Sequence, residues 1–320
     1  MKEVPKKALY LFCNDLTKDP VAHYVFDAAV KSFPLQETDF TVDGKLVLEL
    51  KDEENNIFYY VQTNEVVSHD YPHYLPILNE YFADCNLAGI VNWHEGANAP
   101  DEVLTVHTTG DVVSGYYGPA NPTYVRNLLL AIENTRKKLE LDNFTTVTEA
   151  THWSGVLYEG DPELIPRYSV PLVDIEIGSS PDSWSNAKAA QVIAQSLPQV
   201  FQPNEANLKS LLCIGGIHFE SSFLKAVLNT PTEYPLAVSH ILANQWVVSG
   251  EYQNESGLEK LAACATSIQG GVHGLVFHEG LKGPIKAQIR KFAEQLNIPV
   301  FKHKALRKPQ NLPLWNENSN

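Results

Sequence analysis

At 320 residues with 44% hydrophobic side chains the chain can bury a sizeable core, and its apolar runs fall short of the ~20 residues that cross a bilayer. Its 38 acidic and 24 basic residues leave a net charge of −14, which disfavours broad nucleic-acid binding because that depends on neutralising phosphates. Cys13, Cys85, Cys213 and Cys264 form no CxxC pair, which argues against a disulfide framework and for a reducing cytoplasm.

Near the start, Lys2, Lys6 and Lys7 precede "ALYLFC" (8–13), a run short of the roughly 7–15 apolar residues of a signal peptide. It is expected as the first core strand. A helix follows over 19–33, with Pro20 near its start. "KLVLEL" (45–50) and "IFYYVQ" (57–62) flank the polar turn "KDEENN" and predict a hairpin. Strands are expected at 87–93 and 103–108, a helix at 121–140, then strands at 144–149 and 172–177. Ser180, Pro181 and Asp182 open a single helix over 180–197. The rest alternates: strand 210–216, helix 219–229, strand 236–242, helix 257–268, strand 274–279, helix 284–297, and a closing "IPVFKH". Strands interleaved with helices predict a three-layer α/β/α fold, and the hairpin makes its central sheet mixed and sits at its edge. One domain is expected over 1–320, with a basic tail at 301–310 whose Lys302, Lys304, Arg307 and Lys308 read either as a solvated face or as a local basic patch.

Ionisable residues gather at the expected strand ends: His94, His107, Glu149, His152, Glu176, His218 and His240. Ligands of open α/β sheets bind there, and turns need no such residues. Gly215-Gly216 lets the backbone approach a ligand, and helix N-termini expected near Phe219 and after Ser179 would direct N–H groups into the same crevice. For Gly215-Gly216 the alternative is a tight strand-to-helix turn. Imidazoles with carboxylates suit zinc, which activates a bound water. The same groups can instead act directly as acid, base and oxyanion donors. There is no HExxH and no cysteine cluster, so any metal set is spread along the chain.

Several stretches, in this order, resemble the D-aminoacyl-tRNA deacylase family of the archaeal and plant type: Asp19-Pro20, "LTVHTTG", "TEATH", "EIGSSPDSW", "IGGIHF" and "SHIL". The resemblance covers nearly the whole chain. It implies hydrolysis of the ester joining a D-amino acid to tRNA, a zinc-containing site of one or two ions, and a fold like the α/β/α hydrolase and phosphorylase class. The sequence departs from the family pattern at Asn92-Trp93-His94, His152-Trp153, Gly215-Gly216-Ile217-His218-Phe219 and Gly110-Asp111. The loss of an arginine and the gain of an aspartate both weaken phosphate binding.

The expected site therefore has His107, His152, His218 and His240 as zinc ligands or direct acid–base groups, with His240 and a catalytic His94 at the border. Glu176 is expected as general base and Glu149 as the group orienting His152. Gly215, Gly216, Ser179 and Trp153 are expected on the substrate side, with Trp93 and Trp153 either closing the entrance or stacking on a terminal adenine. Three readings stay open: a D-aminoacyl-tRNA deacylase, a metal-dependent hydrolase of a small acyl, ester or amide metabolite, and a non-catalytic ligand- or metal-binding protein.

Overall fold

The computed structural model describes residues 4–96, 99–203, 207–228 and 233–315. Lys2 and residue 229, the last of one expected helix, lie outside them. The chain runs β1 (Lys7–Cys13), α1 (Ala22–Ser32), β2 (Gln36–Val42), β3 (Lys45–Lys51), β4 (Ile57–Thr63), α2 (Tyr71–Tyr81), β5 (Leu87–His94) and β6 (Glu102–Thr108). A small ribbon of β7 (Gly110–Asp111) and β8 (Tyr116–Tyr117) precedes α3 (Pro122–Lys138) and β9 (Thr145–Thr148). Two 3-10 turns lead to β10 (Leu172–Ser179), α4 (Pro181–Trp184), α5 (Ala187–Ser196), β11 (Lys209–Ile214), α6 (Ser221–Leu228) and β12 (Leu236–Leu242). The last elements are α7 (Asn244–Ser249), α8 (Glu255–Ser267), β13 (Gly274–Phe277), α9 (Gly283–Leu296) and β14 (Val300–Lys302).

The expected α/β fold with a mixed sheet is present, but its strands form two main sheets. Eight strands lie in the order β2-β3-β4-β1-β5-β10-β6-β9, and four in the order β12-β11-β13-β14. The smaller sheet is parallel throughout. In the larger one β4, β1, β5 and β10 are parallel, whereas β6 and β9 run the opposite way. The predicted hairpin is β3–β4, and it is not the edge: the strand outside it is β2. β2, "QETDFTV", has no apolar run to announce it, because an edge strand leaves much of its surface in water.

Helices α1, α3 and α5 pack together against β1, β5, β6, β9 and β10, and α3 also packs on β12 of the smaller sheet. One contiguous core therefore includes residues of both sheets, such as Leu9, Ile175, Leu211 and Val238. The helix expected over 180–197 breaks in two, because Asn186 Oδ1 accepts the N–H groups of Lys188 and Ala189 and starts α5 afresh. All four cysteines are free and buried. No helix among the described residues is long and apolar enough to cross a membrane.

Candidate active site

β10 is buried along nearly its whole length, as an inner strand flanked on both sides must be. Yet it carries Asp174 and Glu176, two residues apart and so on one face. His107 of β6 pairs directly with Asp174, and Asn92 of β5 with Glu176. His94, two residues beyond Asn92, joins the same row. Because β6 and β9 run against β10, these residues share a face of the sheet rather than the common carboxyl edge that the sequence suggested.

The segment after β9 completes the site by bridging the sheets. Glu149 N–H donates to Val106, Ala150 N–H to His218 and Thr151 N–H to Ile241. His218 comes from the turn after β11, so the site lies where one face of the large sheet meets the carboxyl edge of the small one. Glu149 Oε1 contacts His218 Nε2 and lies 3.4 Å from His94 Nε2 and 3.7 Å from His152 Nε2. His107 Nε2 lies 3.4 Å from Glu176 Oε1 and 3.9 Å from Asp174 Oδ2, and its ring stacks on that of His152 at 3.9 Å.

Tautomers follow from the outer nitrogens. Nδ1–H of His107 donates to Thr108 O at 3.2 Å, and that of His152 to Ala150 O at 2.9 Å. Both rings thus turn Nε2 towards the carboxylates. Burial, with His107 beside it, lowers the His152 pKa to about 3, so this ring is neutral. Burial also acts against charge on His107, but Asp174 and Glu176 outweigh it and raise its pKa. His94 is raised likewise, its burial overcome by Glu149. Glu149 is pulled well below the usual carboxylate range: burial opposes this, and the hydrogen bonds with His218 and His94 prevail. Glu176 is pushed up to about 8 by burial and then by the charge of Glu149.

Four buried atoms of this cluster lack any hydrogen-bond partner: His107 Nε2, Glu149 Oε2, Asp174 Oδ2 and Glu176 Oε2. Buried polar atoms are rarely left so. Three overlapping groups bring their donor atoms within 4.8 Å of one another: His94, Glu149 and His218; His107, Glu149 and His152; His107, Asp174 and Glu176.

The site opens into a cleft of about 1190 Å³ lined by Glu149, Glu176, His94, His152 and His218. Trp246 of α7 also lines it, 5.2 Å from the His218 ring. At its mouth His69 stacks on Tyr158 at 3.6 Å. The sequence reading missed Trp246, His69 and Tyr158, which lie on a six-residue helix, a turn and a short 3-10 turn, all too short for a periodic signal. It also passed over Asp174, although the alternation in "VDIEI" places it beside Glu176.

Other expectations need correction. His240 is fully buried but outside the cluster: its Nδ1 lies 2.8 Å from Thr108 Oγ1 and 3.1 Å from Thr151 Oγ1, and its Nε2 lies 3.0 Å from Ser267 Oγ. Ser267 gives its proton to Cys264 O, so Nε2–H donates to Ser267 and Nδ1 accepts, leaving no nitrogen for a metal. Ser179 faces His94 instead of substrate: its Oγ is 2.7 Å from His94 Nδ1, and its N–H donates to Asp101 O. Trp153 lines the cleft but is only 4% exposed, edge-on to Tyr71, so it cannot stack on a base. Gly215, at φ +92, forms the tight turn, its N–H bonded to Leu242 O, and only Gly216 reaches the cleft. α6 starts at Ser221 with Glu220 Oε1 accepting from Ser222 N–H, so that helix end is closed to a ligand.

The D-aminoacyl-tRNA deacylase family model matches residues 81–301, which include every residue of the cluster. The D-aminoacyl-tRNA deacylase of Pyrococcus furiosus is 29% identical over 70% of this chain and 76% of its own length. That of Pyrococcus abyssi is 24% identical over 89% of this chain and 96% of its own. The crystal structure of a conserved protein of unknown function superposes with a TM-score of 0.72 at 20% identity, covering 95% of this chain and 97% of that one, a likeness of fold.

Proposed function

Since the chain belongs to the D-aminoacyl-tRNA deacylase family, we propose that it hydrolyses the ester joining a D-amino acid to tRNA, in the cleft where Glu149 and Glu176 meet four histidines. The observation that carries this reading is the convergence of imidazole Nε2 atoms on buried carboxylates whose other oxygens have no partner. Such a set would stabilise nothing by itself, because burying charges without full pairing costs more than it returns.

The cluster fits a zinc ion. The donors are nitrogen and oxygen, His107 and His152 have Nε2 fixed inward by their Nδ1 bonds, and the partnerless oxygens supply further ligands. His94, Glu149 and His218 would hold one ion, and His107, with Glu149 and His152 or with Asp174, would supply donors for a second. Bound there, zinc would polarise the ester carbonyl and acidify a water.

The chain's own residues do the rest. Glu176 lines the cleft, and with its pKa pushed up to about 8 its ionised fraction is the general base. It accepts a proton from the attacking water as that oxygen bonds to the carbonyl carbon. It then returns the proton to the ribose oxygen as the ester bond breaks. Glu149 gathers the imidazoles, and Ser179 steadies His94 through Nδ1. Among the described residues, five of the eleven exposed large apolar side chains, Val113, Val156, Leu157, Tyr158 and Ile217, ring the cleft. The cleft also exceeds the ~300–1,000 Å³ typical of small-molecule pockets. Both features favour a substrate with bulky, partly apolar parts over a small metabolite.

The decisive experiment compares turnover of D-aminoacyl-tRNA, the matching L-aminoacyl-tRNA and a simple D-amino acid ester. Rapid release from the D-aminoacyl-tRNA is expected, with little from the L-form. Turnover of the simple ester alone would return the reading to a small-molecule hydrolase, and no turnover of any to a binding protein.

A further inference from the structure

Residues 278–310 hold eight of the 24 lysines and arginines but two of the 38 acids, so this segment carries +6 and the remainder −20. Lys282 and Lys286 lie at the start of α9, and Lys302, Lys304, Arg307 and Lys308 at or just beyond the end of β14. All but the half-buried Lys286 are exposed. This is the same carboxyl edge of the small sheet from which the turn Gly215–Phe219 enters the cleft.

The two regions are joined by direct contacts. His278, just after β13, has Nε2 3.8 Å from Glu220 Oε2, two residues from His218. Its ring stacks on His303 at 4.1 Å. A Cβ on Gly215 would lie 3.0 Å from that of His278. The 3-10 turn His303–Arg307 packs on α6, which follows the His218 turn. Glu279 pairs with Lys302 at 3.2 Å and Lys304 at 2.6 Å, while no ion pair among the described residues involves Lys282, Arg307 or Lys308.

We infer that this edge receives the phosphate backbone of the RNA whose 3′ end enters the cleft, so that the acceptor arm runs past His278 and His303 onto Lys304, Arg307 and Lys308. The inference rests on the deacylase reading above. A chain at −14 repels a polyanion over most of its surface. A cationic strip leading to the cleft therefore confers orientation as well as attraction. What sets this strip apart from a solvated tail is its packing, through His278, His303 and the 3-10 turn that His303 opens, against the segment that carries His218.

The test is the triple variant Lys304→Ala/Arg307→Ala/Lys308→Ala, compared with Lys31→Ala/Lys138→Ala/Lys188→Ala. The control removes the same charge from α1, α3 and α5, the layer packed on the large sheet. Each phosphate contact contributes roughly 0.7–0.9 to the slope of log affinity against log salt. The first triple should flatten the salt dependence of kcat/KM on D-aminoacyl-tRNA by about 2 and lower kcat/KM at least ~10-fold at ~50 mM salt, through KM. Its turnover of a simple D-amino acid ester should be unchanged, which also reports intact folding. The control should stay within about twofold throughout. Equal effects of the two triples, or an unchanged slope in the first, would overturn the inference. A wild-type protein that turns over the simple ester but not the D-aminoacyl-tRNA would overturn the deacylase reading, and the docking edge with it.

Discussion

Glu149 shows how much a single buried carboxylate organises. One oxygen faces three imidazoles, from β5, from the segment after β9 and from the turn after β11, while the other has no partner. Glu176 lies apart from those three imidazoles and faces the cleft, so the two acids take different tasks. Glu176→Gln keeps shape and removes the proton acceptor. Turnover of D-aminoacyl-tRNA should fall by about 10²–10⁴, with thermal midpoint and zinc content nearly unchanged; full activity would remove Glu176 from the mechanism. His240 needs the opposite experiment. Its ring is neutral, held near a pKa of about 3 by burial, and bridges Thr108, Thr151 and Ser267. His240→Ala should cost roughly 2–4 kcal/mol in urea unfolding, from the cavity and the orphaned hydroxyls, and leave zinc content intact. Loss of zinc without loss of stability would return His240 to the ligand set. The sequence made the histidines and glutamates legible because each falls at or near the end of an apolar run, although Glu176 proves to stand inside β10. It could not separate His240 from the others, because a histidine satisfied by hydroxyls looks the same in sequence as one facing a cleft. Asp174 was hidden in the reverse way, inside a strand where an acid is not expected.

At the scale of elements, α1 illustrates a capping acid under strain. Asp19 Oδ1 accepts from Val21 N–H at 2.8 Å and Ala22 N–H at 2.9 Å, while Oδ2 is buried without a partner. Burial outweighs those two bonds and pushes the Asp19 pKa up to about 7 from 3.8. The unfolded chain therefore releases this proton near pH 4 and the folded chain only near pH 7. Between those values the native state holds more protons, so stability is complete below pH 4 and declines as pH rises through 7, by an amount on the order of 4 kcal/mol. Asp19→Asn retains the accepting oxygen and cannot ionise. Urea unfolding at pH 4.5 and pH 8 should show the variant near wild type at the lower pH and more stable at the higher. A variant less stable at both would mean that the charge itself holds the helix. The start of this helix was readable from Asp19-Pro20, as were most strands, because inner strands are short apolar runs bounded by turns. α2 was not: "YPHYLPILNEY" has prolines at its first turn and at Pro76, the second of which argues against a helix interior. It forms because Tyr71, Tyr74 and Leu78 align on one buried face, a tertiary gain that outweighs local preference.

At the scale of the whole molecule, the two sheets were not separable in the sequence, since β11 to β14 have the same apolar character as β1, β5 and β10 and nothing local states which strands pair. Their junction is the site itself. His94, Asp174, Glu176 and His107 stand on the large sheet, and His218 on the edge of the small one. An ion shared by these residues would bind the folded state and not the unfolded chain, so metal content and global stability must be linked. At a free zinc concentration ~1,000 times the dissociation constant the added stability is about 4 kcal/mol, and it falls to nothing as the metal is withdrawn. Thermal unfolding of protein stripped by a chelator should therefore begin several degrees lower than that of the zinc-loaded protein, and the midpoint should climb steadily with zinc added back. Glu149→Gln and His218→Ala should each lose this dependence. His240→Ala, though less stable throughout, should keep it. A midpoint indifferent to chelator and to zinc, in protein that still hydrolyses D-aminoacyl-tRNA, would assign the chemistry to Glu176 and the imidazoles alone.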